Sequence, residues 1–256
     1  MLHLLAFDLD GTLADTERLK GESYGWAGHA LRPDLDGADV EAAYPAYVGR
    51  SRGEIARGLT EQFGLAEAAA AHDPTVEPWE AYVALRLERY RAMLADGALV
   101  RRHAYAPTVT LARRGRDLAR HTALVTTSDR RNADLVLGAL GLADAFDTVV
   151  TSDDVTRTKP DAEPYALALR RLGVEADAAL AVEDSPAGIR GALAAGLAVA
   201  AVPSVFTRAA VAEMVARGEL AADAVLPPEA LAEHLARCGG DRPRGSTRGD
   251  AARSAS

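Results

Sequence analysis

A single cysteine, Cys238, in 256 residues excludes an internal disulfide. The compartment expected from that is the reducing cytoplasm. Basic residues are outnumbered: 29 Lys and Arg stand against 37 Asp and Glu, a net charge of -8, which argues against a general nucleic-acid binder. The 6 histidines, at positions 3, 29, 72, 103, 121 and 234, have no metal-ligand spacing, so a zinc site is not expected. No apolar run is long enough to cross a bilayer, and Asp8 interrupts the N-terminal one before it could serve as a secretory signal. The chain is thus read without nucleic-acid or membrane partners, as a monomer or weak homodimer.

What remains is an ordinary globular composition, 48% hydrophobic and 26% charged, sufficient for one large domain or a core with a smaller companion. Leu2, Leu4, Leu5, Ala6 and Phe7 form a nearly continuous apolar run, as expected of a strand buried on both faces of a parallel sheet. Asp8 and Asp10 follow two residues apart, so in extended backbone both carboxylates point to one side, and Gly11 permits a sharp bend. Buried carboxylates this close need a cation or a shared proton, and Mg2+ suits oxygen-only ligands. Taken alone, Asp8, Asp10 and Asp15 fit equally well the end of a strand and the cap of a helix, or a hairpin turn at Asp10-Gly11.

Residues 16–96 read as mostly helical, with Thr16 as N-cap of a helix to Ala30 and further patterns at 38–47, 51–63 and 78–96. Trp26 and Trp79 are read as buried core of this block. Then come a helix at 107–119, a strand at 123–125 ending in Thr126-Thr127-Ser128, a helix at 130–140 and a strand at 147–151 leading to Lys159-Pro160. A strand at 178–182 ends in Glu183-Asp184, before Ser185 as N-cap and Pro186 at the first helical position. A strand at 197–202, a helix at 208–217, a short edge strand at 224–226 and a helix at 228–237 complete the pattern. Alternating strands and helices imply a parallel sheet with right-handed crossovers and a site at the carboxyl ends of the strands.

The stretch Phe7-Asp8-Leu9-Asp10-Gly11-Thr12-Leu13-Ala14-Asp15-Thr16-Glu17 resembles the first signature motif of the haloacid dehalogenase superfamily, in its phosphatase and phosphomutase branch. Thr126, Lys159-Pro160 and Glu183-Asp184 resemble the second, third and fourth motifs, in that order and each near a strand end. The resemblance implies an α/β protein: a Rossmann-like parallel-sheet core at 1–15 and 98–238, and an inserted α-helical cap at 16–97. Residues 239–256, rich in Gly, Arg, Ser and Asp, are read as a disordered tail.

It further implies a Mg2+-dependent phosphoric monoester hydrolase acting on a small phosphorylated substrate, a sugar phosphate or bisphosphate or phosphoglycolate. Asp8 is then the nucleophile that forms an aspartyl-phosphate, and Asp10 the acid and base. Thr126, Thr127 and Lys159 bind the phosphoryl group. Asp8, Asp10 through its backbone carbonyl, Glu183 and Asp184 hold the metal. From the cap, Arg52 (or Arg50), Arg86 and Glu17 are the expected substrate contacts. A β-phosphoglucomutase-type phosphomutase is the alternative reading, and a non-catalytic sensor of a phosphorylated metabolite a third.

Overall fold

Leu4 and Ala6 of strand β1 (Leu2–Phe7) face one hydrophobic cluster, while Leu5 and Phe7 face a second on the other side of the sheet. A strand covered on both faces has no polar side, which accounts for its unbroken apolar run. Each of these fully buried leucines contributes roughly 1.5–3 kcal/mol of burial free energy. The computed structural model describes residues 2–240.

After β1 the chain forms α1 (Thr16–Leu31), α2 (Gly37–Ala43), α3 (Arg52–Gln62), α4 (Ala66–His72) and α5 (Pro78–Ala95), with no strand between them. Helices α6 (Gly97–Arg102), α7 (Ala106–Arg113) and α8 (Gly115–Leu118) lead to strand β2 (Ala119–Val125). Helix α9 (Arg130–Leu140), strand β3 (Thr148–Val150), helix α10 (Glu163–Leu172), strand β4 (Ala179–Glu183), helix α11 (Pro186–Ala194) and strand β5 (Ala198–Ala201) follow. Helices α12 (Arg208–Ala216) and α13 (Leu231–Gly240) end the described chain, and none of these helices is long and apolar enough to cross a membrane.

The five strands form one parallel sheet in the order β3-β2-β1-β4-β5. Phe7 pairs with Leu124 on one side and Val182 on the other, so the ends of β1, β2 and β4 are level. Asp8, Thr126 and Glu183-Asp184 are therefore delivered to the same edge, as the strand-end rule requires.

Helices α1 to α5 bury a cluster of their own. Tyr24 stacks on Tyr44 with ring centroids 5.6 Å apart and meets Tyr82 edge-on at 5.5 Å, among Val40, Leu59 and Leu65. Leu19 of α1 and Tyr90, Met93 and Leu94 of α5 instead join the cluster beneath the sheet. The chain leaves for these helices and returns from them at adjacent points. Asp15 N donates to His103 O at 2.7 Å and Tyr105 N to Leu13 O at 2.9 Å, around an antiparallel bridge between Ala14 and Ala104.

Several expectations are corrected. Asp15, not Thr16, caps α1, accepting from Arg18 N, and Thr16 is its first residue. The 38–47 pattern is α2 followed by a 3-10 turn at Tyr44–Tyr47, and α4 and α6 occupy stretches read as connections. The 107–119 helix breaks at Arg114, and β2 begins at Ala119 because Thr122, with its N–H on Asp147 and its hydroxyl on Ala145 O, is buried in the strand. The edge strand at 224–226 is reduced to one bridge, Ala201 to Val225. Trp26 is 40% exposed and not core, with the Arg89 guanidinium carbon 5.5 Å from its ring. Of the tail read at 239–256, Gly239 and Gly240 belong to α13, and the rest lies outside the described residues.

Candidate active site

The end of β1 continues into Asp8, whose N–H donates to Val182 O at 3.0 Å and so extends the sheet by one residue. Gly11 has φ +88, and a Cβ there would lie 2.3 Å from Asp184 Oδ2, so the turn needs glycine for both its conformation and its space. At Gly188, in the first turn of α11, a Cβ would sit 2.0 Å from the Glu183 carboxylate. These two bare positions leave room for the carboxylates of Glu183 and Asp184 at the end of β4.

Asp8, Glu183 and Asp184, all buried, each offer a carboxylate oxygen within 4.8 Å of the others. Lys159 Nζ lies among them. It donates to Asp8 Oδ1 at 2.7 Å, Glu183 Oε1 at 2.6 Å and Val125 O at 2.7 Å. Glu183 Oε1 also accepts from Tyr165 Oη at 2.5 Å, and Asp184 Oδ2 from Thr207 Oγ1 at 3.1 Å. Asp8 Oδ2 is buried with no partner.

One ammonium against three carboxylates leaves an uncompensated negative charge out of water. Burial pushes the Asp8 carboxyl up to about 7, partly offset by Lys159 and reinforced by Glu183 and Asp10. Burial and then the Asp8 and Glu183 charges push Asp184 well above the usual carboxylate range. Lys159 moves upward: burial opposes its charge, but Asp8 and Glu183 outweigh that. An all-oxygen set with excess negative charge and one buried, unbonded carboxylate oxygen fits a hard divalent cation such as Mg2+.

The Asp10 carboxylate is turned to other partners. It accepts from the Thr16 hydroxyl, from Ser128 Oγ at 2.7 Å and Thr126 Oγ1 at 3.3 Å, with Lys20 Nζ 3.4 Å away. Burial alone would raise its pKa, but Lys20 and the hydroxyls outweigh it and hold the group below the usual carboxylate range. Thr126 is thus committed to Asp10, and also accepts from Ser128 N at 3.1 Å, while Thr127 is exposed at the open space above.

That space is a cleft of about 890 Å³ between the strand ends and the helices α1, α3 and α5. It brings together Asp8, Asp10, Thr127, Lys159 and Asp184 with Glu17, Arg50, Arg52 and Arg86. Thr126 and Glu183 lie behind its wall, reached through Asp10 and Lys159. Arg86 is 4% exposed, its guanidinium carbon 4.6 Å from the Tyr24 ring and 4.7 Å from the Tyr90 ring. Glu17 is held by Lys20 Nζ at 2.6 Å and Tyr44 Oη at 2.7 Å.

Sequence reasoning missed Lys20, Tyr165, Thr207 and Asn132. Lys20 was within reach of it, since it lies four positions after Thr16 and three after Glu17 on one helix face. Tyr165 and Thr207 arrive from α10 and the start of α12 with no local pattern to mark them.

The model of the family described as haloacid dehalogenase-like hydrolase matches residues 2–196. The protein CbbY of Cereibacter sphaeroides is 32% identical over 213 residues, covering 81% of this chain and 87% of its own length. A phosphoglycolate phosphatase of Rhodospirillum rubrum is 35% identical over 208 residues, covering 81% and 82%. The crystal structure of a CbbY variant from Rhodobacter sphaeroides in complex with xylulose-(1,5)bisphosphate has a TM-score of 0.61 at 27% identity, covering 82% of this chain and 89% of that one.

Proposed function

The chain belongs to the haloacid dehalogenase-like hydrolases, and we propose that it is a Mg2+-dependent phosphatase of a small phosphorylated metabolite: a sugar phosphate or bisphosphate, or phosphoglycolate. The observation that carries this reading is the buried trio Asp8, Glu183 and Asp184 with Lys159 bridging Asp8 and Glu183, while Asp8 Oδ2 is left unbonded. A relative that is a phosphoglycolate phosphatase, and one crystallised with a sugar bisphosphate, support the substrate range.

A carboxylate attacks a phosphate monoester poorly because both are anions, so the site must supply positive charge. Asp8, Asp184 and the Asp10 carbonyl, with Glu183 directly or through water, would hold Mg2+, which supplies Lewis-acid neutralisation of the phosphoryl oxygens. Asp8 Oδ2, the free oxygen, attacks phosphorus, and the bond to the leaving oxygen breaks to give an aspartyl-phosphate. Lys159 holds Asp8 Oδ1 in place and offsets charge at the nucleophile. Asp10, ionised while Lys20 and the hydroxyls hold it, must first take up a proton from solvent as the substrate binds; it hands that proton to the leaving oxygen, then takes one from the water that attacks the phosphorus of the intermediate and releases phosphate. Thr127, with Thr126 and Ser128 behind it, contributes donors at the end of β2. Residues 16–97 act as a cap over the core at 1–15 and 98–238, with Arg52, Arg86 and Glu17 toward the leaving group. The protein works as a cytoplasmic monomer or weak homodimer.

The test is phosphate release from a panel of sugar phosphates, sugar bisphosphates, phosphoglycolate and nucleotides, with and without Mg2+. Mg2+-dependent release that Asp8→Asn abolishes supports the assignment. A fully active Asp8→Asn protein rejects it, and isomerisation of a sugar phosphate without free phosphate replaces it with the phosphomutase.

A further inference from the structure

Tyr165 lies on the buried face of α10, wholly out of solvent, in the cluster that also holds Leu4 and Ala6 of β1. Its ring belongs to that apolar cluster, but its hydroxyl donates to Glu183 Oε1 at 2.5 Å. The Lys159 ammonium sits against the same ring, with Nζ 5.2 Å from the centroid. One side chain thus touches both the cation and one acid of the site. Tyr165 and Glu183 both lie behind the cleft wall, so the phenol reaches the substrate through the acids and not by contact.

The hydroxyl supplies a bond that Lys159 has no means to add. An ammonium has three protons, and Lys159 spends all three, on Asp8 Oδ1, Glu183 Oε1 and Val125 O. Ser185 Oγ stands 3.5 Å from Glu183 Oε2, too far for a strong hydrogen bond. Glu183 Oε1 is therefore fixed by two short bonds, while Oε2 is left nearly unengaged. The helix behind the acid adds a second restraint. The carboxylate fills the space opened by the missing Cβ of Gly188, with both of its oxygens 2.0 Å from where that atom would lie.

How much a fixed carboxylate matters depends on the ion. Mg2+ demands near-ideal ligand geometry, whereas Ca2+ accepts more oxygens at longer and more variable distances. Rigid acids therefore favour Mg2+, and an acid free to swing gives that preference up. Groups that hydrogen-bond to a ligating side chain orient it, and losing one costs about 10–100-fold in metal affinity.

Resting on the Mg2+ site of the reading above, we propose that Tyr165 is a positioning residue that makes the site selective for Mg2+ over Ca2+, its hydroxyl fixing the Glu183 carboxylate.

The test removes the hydroxyl and keeps the ring. Mg2+ alone and Ca2+ alone are titrated calorimetrically into the chelator-treated full chain, as wild type and as Tyr165→Phe. The Mg2+ Kd is expected to rise about 10–100-fold and the Ca2+ Kd to move much less, so that the preference for Mg2+ collapses. Activation of p-nitrophenyl phosphate hydrolysis is expected to need more Mg2+ by the same factor. KM at saturating Mg2+ is expected to stay as it is, because the cleft wall is intact. A merely structural role lowers the melting temperature of the metal-free protein and leaves the ratio of the two Kd values alone. That ratio unchanged, whether both affinities hold or both fall together, overturns the proposal. Should Tyr165→Phe not fold, Glu183→Asp, which draws the carboxylate back from the hydroxyl by one methylene, is measured instead. The same loss of Mg2+ preference is expected, and an unchanged ratio overturns the proposal.

The two readings fail separately. A wild type that binds Mg2+ but hydrolyses no phosphate ester ends the phosphatase reading, and the Kd ratios still decide the role of Tyr165. A wild type that hydrolyses esters but binds neither cation overturns the role of Tyr165 and leaves a phosphatase standing.

Discussion

Lys159 donates to Asp8 across 2.7 Å although 151 positions separate them in the chain. Both are buried, and Glu183 lies on the other side of the same ammonium at 2.6 Å. Lys159→Met leaves two carboxylates in the interior without their cation. The expected result is a loss of about 3–5 kcal/mol of stability together with loss of turnover, read by chemical denaturation and phosphate release. A variant as stable as the wild type argues against a paired Lys159.

The Asp8 carboxyl, pushed up to about 7 by burial, makes stability depend on pH in a defined direction. Its folded pKa lies above the unfolded value of 3.8, so its contribution is full below that value and is lost as pH rises through about 7. In chelator, the melting temperature is expected to fall between pH 4 and 7. Mg2+ is expected to raise it more at pH 8 than at pH 5, because the ion binds the ionised trio. Differential scanning calorimetry at the four pH values checks this, and a Mg2+ effect independent of pH contradicts it.

Asp10→Asn separates proton transfer from nucleophilic attack. General acid catalysis contributes on the order of 10²–10⁴ in rate, and a sugar alkoxide needs the proton far more than p-nitrophenolate does. The expected outcome is a loss in kcat of that order on sugar phosphates and a distinctly smaller one on the aryl phosphate. Equal losses on both substrates would show that Asp10 acts through something other than the leaving group.

Gly188→Ala reverses an ordinary rule. Inside a helix this change usually adds about 0.5–1 kcal/mol, but here the new methyl meets the Glu183 carboxylate at 2.0 Å. Glu183 must then leave Lys159 and Tyr165. A destabilisation of about 2 kcal/mol or more is expected from overpacking and broken hydrogen bonds, measured by urea denaturation. A stabilised variant would show that Glu183 can move without penalty.

The strand-end residues were legible because their signals are local. Phe7 through Gly11 compress a buried strand, two acids and a bend into a few positions, and Ser185-Pro186 marks a helix start that the structure keeps, with Ser185 Oγ accepting from Gly188 N. Asp15 displaced Thr16 as the cap because the Thr16 hydroxyl is spent on Asp10, a partner six positions away that cap patterns do not consider. The start of β2 was hidden because Arg120, His121 and Thr122 look polar, and only the distant Asp147 and Ala145 explain why Thr122 can be buried. Asn132 escaped notice for the opposite reason. It reads as one polar residue in a helix turn, and only its place in the cleft wall, with Oδ1 buried and unbonded, sets it apart.

The pairing of Ala14 with Ala104, flanked by the bonds from Asp15 to His103 and from Tyr105 to Leu13, closes the helical excursion at its base. Whatever lies between those two points, the sheet has the same short gap to bridge, which is the condition under which an inserted segment is tolerated. The catalytic edge and the outer part of the helical excursion can therefore change independently of one another. Helices α2 to α4, which supply neither the Asp10 partners Thr16 and Lys20 nor the core contacts of Leu19 and Tyr90, can lengthen, shorten or be exchanged while Asp8, Lys159 and Asp184 keep their surroundings.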